Sequence, residues 1–195
     1  TQFGYKPIPE GKNQSLLGFF QTSRYFDIKT VEHAFKPTET LMKLVREAGK
    51  DLIHRSNLVA VHVRRTDYLE KHEYHPVQPM EYYRKAMEIM ETRLGKCNFL
   101  IFSDDPEWCK MEFVKENMQI ANKNMDILDL FLMAQCQHHI IANSSFSWWG
   151  AWLSKLFHNT AHQVIAPRDW AGPEWRKNSP HDIFTDIYEP NWTVI

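Results

Sequence analysis

Three short apolar runs, each ending abruptly in polar residues, constrain the fold of this chain more than any other feature. Leu58-Val-Ala-Val-His-Val-Arg-Arg-Thr-Asp67, Asn98-Phe-Leu-Ile-Phe-Ser-Asp-Asp105 and His139-Ile-Ile-Ala-Asn143 are too short for helices and rich in β-branched and aromatic residues, so they read as buried strands. Helical patterns separate them. Thr38 to Gly49 has a Thr cap and a terminal Gly, Met80 to Leu94 is closed by Gly95, and Pro106 opens another helix. Ile127 to Gln137 and Ser144 to Leu156 complete the series, and Gln163 to Ala166 adds a further short strand. Strands that are nearly continuously apolar and alternate with helices predict a doubly wound α/β domain on a mostly parallel sheet. Before the first strong helix, Leu16 to Phe20 suggests one short strand in an otherwise loop-like segment, and Thr22 to Pro37 suggests a linker. The tail from Asp169 is rich in Pro and Trp and reads as irregular, folded back across the domain.

In an open parallel sheet the carboxyl ends of the strands line the ligand crevice, which directs attention to the residues where the runs stop. Side chains alternate along a strand, so His62 and Arg64 share one face while Val61, Val63 and Arg65 take the other. The third run leads into Asn143-Ser144-Ser145-Phe146-Ser147. Ser144 or Ser145 is placed to cap the next helix, whose first-turn amides form a ready anion site. A lone strand-end Arg or a lone Ser cap is ordinarily just solvated. Together they suggest a phosphate cradle made of one guanidinium and one helix N-terminus. Asp129 is open to two readings, a solvated helix edge or a carboxylate accepting hydrogens from a guanine edge.

Other features exclude function classes. The 195 residues carry 23 Lys and Arg against 24 Asp and Glu, a net charge of -1, so no global field draws the chain to nucleic acid or an anionic membrane. The seven glycines form neither a GxGxxG nor a Walker loop, which disfavours hydride transfer and P-loop chemistry. Cys97, Cys109 and Cys136 lack CxxC spacing and read as small buried apolar residues. No Asp-x-Asp triplet exists to hold a bridging metal, and His72, His75, His138 and His139 lack matching carboxylate spacing, so arginine is expected to replace a metal. No apolar run approaches the ~20 residues needed to cross a bilayer, and no signal-like segment follows Thr1. The chain is therefore expected to be soluble as given, either cytoplasmic or, if an upstream anchor has been removed, Golgi lumenal.

The quoted motifs, His62-Val-Arg-Arg-Thr-Asp67, Phe102-Ser-Asp-Asp-Pro106, Asp129 with its Leu-Phe-Leu continuation, and Asn143-Ser-Ser-Phe-Ser-Trp-Trp-Gly-Ala-Trp152, resemble those of the family-eleven α-1,2-fucosyltransferases over nearly the whole chain. The resemblance implies a Rossmann-like, GT-B-type donor-binding half, GDP-fucose as donor, a galactose-containing glycan as acceptor, inversion at the anomeric carbon, and no cofactor or required metal. Carried over by position, Arg64 holds the β-phosphate, His62 and Asp129 read the guanine, Ser145 and Phe146 bind the diphosphate, and Asp104 and Asp105 lie near the nucleoside. Arg65 and Ser144 join the nucleotide-binding set from the same motifs. Arg64 and Asp67, the acidic position of the first motif, are the candidate catalytic pair. One departure is the Gly-Gly-Leu-Gly-Asn-Gln type of segment with which such enzymes usually begin. Its absence suggests a C-terminal donor-binding part, with residues 1–37 as the remnant of an N-terminal region and linker and 38–195 as the nucleotide-sugar-binding domain. The alternatives are a GDP-binding module without chemistry of its own, a structural α/β domain, and a fucosyltransferase of α-1,6 or protein-O type.

Overall fold

A computed structural model of the chain describes residues 5–18, 20–122, 125–158, 162–177 and 185–195. Its elements in chain order are α1 (Ile28–Ala34), α2 (Glu39–Ala48), β1 (Leu58–Val63), α3 (Thr66–Glu70), α4 (Met80–Leu94), β2 (Asn98–Ser103) and α5 (Pro106–Glu112). There follow β3 (Met118–Ile120), α6 (Asp126–Ala134), β4 (His138–Ile140), α7 (Ser145–Leu153), β5 (Val164–Ala166), α8 (Pro173–Lys177) and β6 (Thr193–Val194). The six strands form one sheet in the order β3-β2-β1-β4-β5-β6, every pairing parallel. That order reverses between β1 and β4, the position at which doubly wound sheets open a crevice beyond their strand ends.

Alternation along β1 sorts the core into two layers. Val59, Val61 and Val63 pack with Tyr83, Met87 and Met90 of α4 and with Cys109 of α5. Leu58 and Ala60 face the other side, against Phe131, Leu132 and Met133 of α6 and Val45 of α2. A third cluster joins Trp148, Ala151 and Trp152 of α7 to Val31 of α1 and to Trp170, Ile187 and Trp192 of the tail. All three cysteines are free and buried, as their spacing suggested. Helix α4 ends at Gly95, whose φ of +79° is a conformation a side chain would strain.

The structure departs from the sequence expectation at short elements and at the ends of the chain. Among the described residues no strand forms over Leu16 to Phe20: Leu17 is fully exposed, and Phe19 lies outside the described residues. The stretch read as a linker holds α1, and its neighbours Phe26 and Phe35 stack on Trp149 with centroids 5.2 and 4.8 Å away. The tail does fold back, yet it also supplies α8 and the sixth strand. Arg168 N donates to the Ile195 carbonyl at 2.7 Å, and Trp148 Nε1 donates to the Ile187 carbonyl at 2.6 Å. No helix among the described residues is long and apolar enough to cross a membrane.

Candidate active site

The register of β1 against β2 builds the first wall of the site. Val63 lies beside Ser103, so Arg64 and Arg65 leave one strand where Asp104 and Asp105 leave the next. Asp104 Oδ1 accepts from Arg65 N at 3.0 Å, and its Oδ2 accepts from Thr66 N at 3.1 Å and from the Thr66 hydroxyl. Helix α3 has no cap from its own preceding residue, so this neighbouring-strand carboxylate supplies one. Arg64 Nε lies 2.9 Å from Asp67 Oδ1 and 3.5 Å from Asp104 Oδ2, which fixes the guanidinium between two carboxylates. Burial lowers the Arg64 pKa, but Asp67 and Asp104 outweigh it, and the group stays charged with its pKa above the ordinary value. For Asp67, burial pushes the pKa up, and the Arg64 guanidinium more than reverses this.

The second wall comes from the β4 to α7 junction. Ser144 occupies the N-cap position, but its side chain makes no capping hydrogen bond. Ser147 turns inward instead, its hydroxyl donating to the Ala142 and Ser144 carbonyls at 3.4 and 3.3 Å. The first-turn amides of α7 are thus left without a side-chain acceptor from Ser144, as suits a helix end that receives an anion. A buried network holds this turn: Gln78 Nε2 donates to Asn143 Oδ1 at 3.0 Å and to the Asp169 carbonyl at 2.9 Å, and Asn143 Nδ2 donates to the Trp170 carbonyl at 3.1 Å.

Tyr68 joins the two walls. Its hydroxyl donates to the Asn143 carbonyl at 3.0 Å, while its ring lies under Arg64 with the guanidinium carbon 5.7 Å from the centroid. Burial raises its pKa, so the phenol remains a donor at neutral pH.

Between the walls is a cavity of about 550 Å³, lined by His62, Arg64, Asp67, Asp104, Asp129, Ser144, Ser145 and Phe146 from the sequence-derived set. Tyr68, Lys71, His75, Phe102, Ser103 and Asp126 also line it; the sequence reading weighed His75 only as a metal ligand and held Phe102 and Ser103 only within a quoted motif, and it did not single out Tyr68, Lys71 or Asp126. His62 is buried and sits 5.6 Å from the Phe146 ring. Desolvation lowers its pKa to about 4, with Asp104 opposing and Arg64 assisting, so the ring is neutral at pH 7. Its Nδ1 is buried without a hydrogen-bond partner among the described residues, a condition that a ligand can relieve.

Two residues of the expected set are not brought into the cavity. Arg65 points to the α5 side, as alternation requires, where Nε pairs with Asp105 Oδ2 at 3.1 Å and the guanidinium carbon lies 3.9 Å from the Trp108 ring centroid. Asp105 caps α5 by accepting from Trp108 N at 3.2 Å. Asp104 does reach the cavity, but it spends both oxygens on the turn that carries Arg64. Among the described residues no group of three or more His, Cys, Asp or Glu is arranged to hold a metal ion.

A strand-end arginine and a helix N-terminus thus face one cavity at the switch point, an arrangement suited to an anionic ligand. The family model of glycosyl transferase family 11 matches residues 3–195. The chain belongs to that family. It is 35% identical to an alpha-1,2-colitosyltransferase of Escherichia coli, over 79% of this chain and 55% of that protein. It is 32% identical to the O-antigen biosynthesis glycosyltransferase WbnK of Escherichia coli, over 80% of this chain and 54% of that protein. With the galactoside alpha-(1,2)-fucosyltransferase 1 of Saimiri sciureus it shares 28% identity over 63% of this chain and 36% of that protein. The chain spans about half the length of the two bacterial relatives it matches.

Proposed function

We propose that this family 11 chain forms the donor-binding part of an inverting glycosyltransferase that moves L-fucose from GDP-fucose to the 2-hydroxyl of a galactoside. The observation that carries the proposal is that Arg64 and the α7 N-terminus line one cavity, bridged by Tyr68. In this reading His62 and Asp129 read the guanine, and the diphosphate lies between the Arg64 guanidinium and the amides of Ser145 and Phe146. As the glycosidic bond breaks, negative charge grows on the β-phosphate, and these fixed donors stabilise it more than they stabilise bound donor. Arg64 takes the part a metal plays elsewhere, so no metal is required. Asp67 keeps Arg64 charged and oriented and stands beside the path of the incoming hydroxyl. The relatives named for fucosyl and colitosyl transfer act with sugars that both lack the hydroxyl at carbon 6, which favours a 6-deoxyhexose here.

Titration calorimetry with GDP and GDP-fucose, paired with turnover using lactose as acceptor, tests the proposal. Binding together with fucosyl-lactose formation supports it in full. Nucleotide binding without product favours the second reading, a GDP-binding part that acts only with further polypeptide, which the half-length match to the bacterial relatives supports. Failure to bind GDP refutes both.

A further inference from the structure

We infer that the His75 imidazole is the general base of the transfer, taking the proton from the acceptor hydroxyl as that oxygen attacks the sugar. The inference rests on the nucleotide reading of the cavity and adds to it the group that activates the acceptor. His75 lines the same cavity as Arg64 and Asp67. Its ring stacks on Tyr68 with centroids 4.9 Å apart and planes 22° apart, and the Arg64 guanidinium carbon is 5.7 Å from that same Tyr68 ring. One aromatic ring therefore fixes the imidazole relative to the group that holds the leaving phosphate. The two are no farther apart than those distances laid end to end, the scale on which one group meets a departing oxygen and another the attacking one across a single reacting carbon. The loop that carries His75 is held from two sides. Within it, Tyr74 N and His75 N both donate to the Lys71 carbonyl at 2.9 Å, and Pro76 restricts the His75 backbone. From the tail, Gly172 N donates to the Tyr74 carbonyl at 2.7 Å and Glu174 N to the Glu73 carbonyl at 3.0 Å. The approach is so close that a Cβ at position 172 would stand 2.2 Å from the Glu73 carbonyl oxygen.

The other titratable groups of the cavity are unsuited to the task. Asp67 is bound to Arg64, which holds its pKa below the ordinary carboxylate value, and Asp104 accepts from the turn that opens α3. Tyr68 is held as a donor to the Asn143 carbonyl, and the buried His62, with a pKa of about 4, is a weak base. Asp126 and Asp129 stand on α6, the side of the cavity read as the guanine site. His75 is half-buried, and among the described residues neither ring nitrogen has a hydrogen-bond partner. Burial lowers its pKa from the ordinary value, with Asp67 opposing and Lys71 assisting, so a neutral imidazole with an acceptor nitrogen is present at pH 7. The remaining charges around it are Arg64 across the Tyr68 ring and, on the tail, Asp169 paired with Arg176 and Glu174 paired with Lys177. In the step itself the acceptor O–H bond breaks, its proton passes to His75, and the oxygen forms the bond to the anomeric carbon. The bond from that carbon to the β-phosphate oxygen breaks, and its electron pair leaves with GDP. The imidazolium so formed is favoured by the Asp67 carboxylate and returns its proton to solvent.

The inference places the base and the leaving-group cradle in this one chain, and it therefore requires the chain as it stands to transfer. Fucosyl-lactose formation at saturating GDP-fucose and varied lactose, measured between about pH 5 and 8 alongside GDP calorimetry, tests it on the wild type, His75→Gln, His75→Ala and His72→Gln. His72 is the control because it is exposed and does not line the cavity. The expected result is that His75→Gln lowers kcat by about a hundredfold or more, while the KM for lactose and the affinity for GDP stay within about threefold. Wild-type kcat should fall as the pH drops through the histidine range, that acid limb should vanish in His75→Gln, and added imidazole should restore part of the His75→Ala rate. His72→Gln should match the wild type throughout. A His75→Gln protein with wild-type kcat, or one whose loss lies in KM alone, overturns the inference and leaves the nucleotide reading standing. GDP affinity that falls as far as kcat in His75→Gln shows a structural role and overturns it too, as does a wild type that binds GDP yet makes no fucosyl-lactose. Failure of the wild type to bind GDP removes the nucleotide reading and this inference with it.

Discussion

Replacing Asp104 with Ala tests whether the turn that delivers Arg64 is held from the neighbouring strand. The carboxylate accepts from two backbone amides and one hydroxyl, and it is the second anion beside the guanidinium. Hydrogen bonds to a charged group contribute about 1.5 to 3 kcal/mol each, and water partly replaces those at the exposed Thr66, so the net loss should be about 2 to 3 kcal/mol. For a chain of this size that lowers the Tm by roughly 5 to 10 °C. With α3 uncapped and one of its two carboxylate neighbours gone, Arg64 samples more orientations, and GDP affinity should fall about tenfold, equivalent to ~1.4 kcal/mol. Asp105→Ala is the control, since it removes the α5 cap and the Arg65 pair on the opposite face of the sheet. It should cost about 1 kcal/mol of stability and leave GDP affinity unchanged. Thermal melts and GDP titrations on both variants decide the matter. An Asp104→Ala protein that melts and binds like wild type, or an Asp105→Ala protein that loses affinity equally, refutes the reasoning.

Tyr68→Phe removes the donor to the Asn143 carbonyl and should reduce stability by about 1 kcal/mol, with GDP affinity falling about threefold in the same titration. Asn143→Ala leaves the Trp170 carbonyl without the Asn143 donor and the buried Gln78 amide with only its Asp169 bond, and chemical denaturation should show a loss of about 2 to 3 kcal/mol. Stability should also fall with acidification between pH 6.5 and about 4, because burial lowers the folded pKa of both His62 and His138 to about 4. In that window the unfolded chain binds more protons than the folded one, so stability is complete above pH 6.5 and declines as pH drops. His62 alone contributes up to about 3 kcal/mol to the decline. Urea midpoints that do not move across the window would contradict this, and His62→Gln should shrink the slope.

The parts of the fold that were legible in the sequence are those with several turns or residues of repeated pattern. Helix α4 and strand β1 carry enough periodicity and punctuation, including Gly95, for their limits to be read to within a residue. Helix α3 and strands β3 and β6 span two to five residues, too few for any period to register, and pairing within the completed sheet makes the two strands what they are. The Leu16 to Phe20 segment has a strand-like composition, yet the described part of it has no sheet partner. Within the site, alternation along β1 already separated His62 and Arg64 from Arg65, and the structure keeps that separation. What alternation could not reveal is that Asp104 and Asp105 are used as caps, because capping depends on the lateral register of β1 and β2. Tyr68 was hidden for a related reason: its partner Asn143 lies 75 residues further along the chain.

The central claim is that Arg64 and the first-turn amides of α7 grip the same diphosphate. Its most direct test is a crystal structure of the chain with GDP bound. The account predicts the β-phosphate within hydrogen-bonding distance of both the Arg64 guanidinium and the backbone N–H of Ser145 or Phe146. A nucleotide whose phosphates meet only one of these groups, or that binds away from the crevice between β1 and β4, would contradict it.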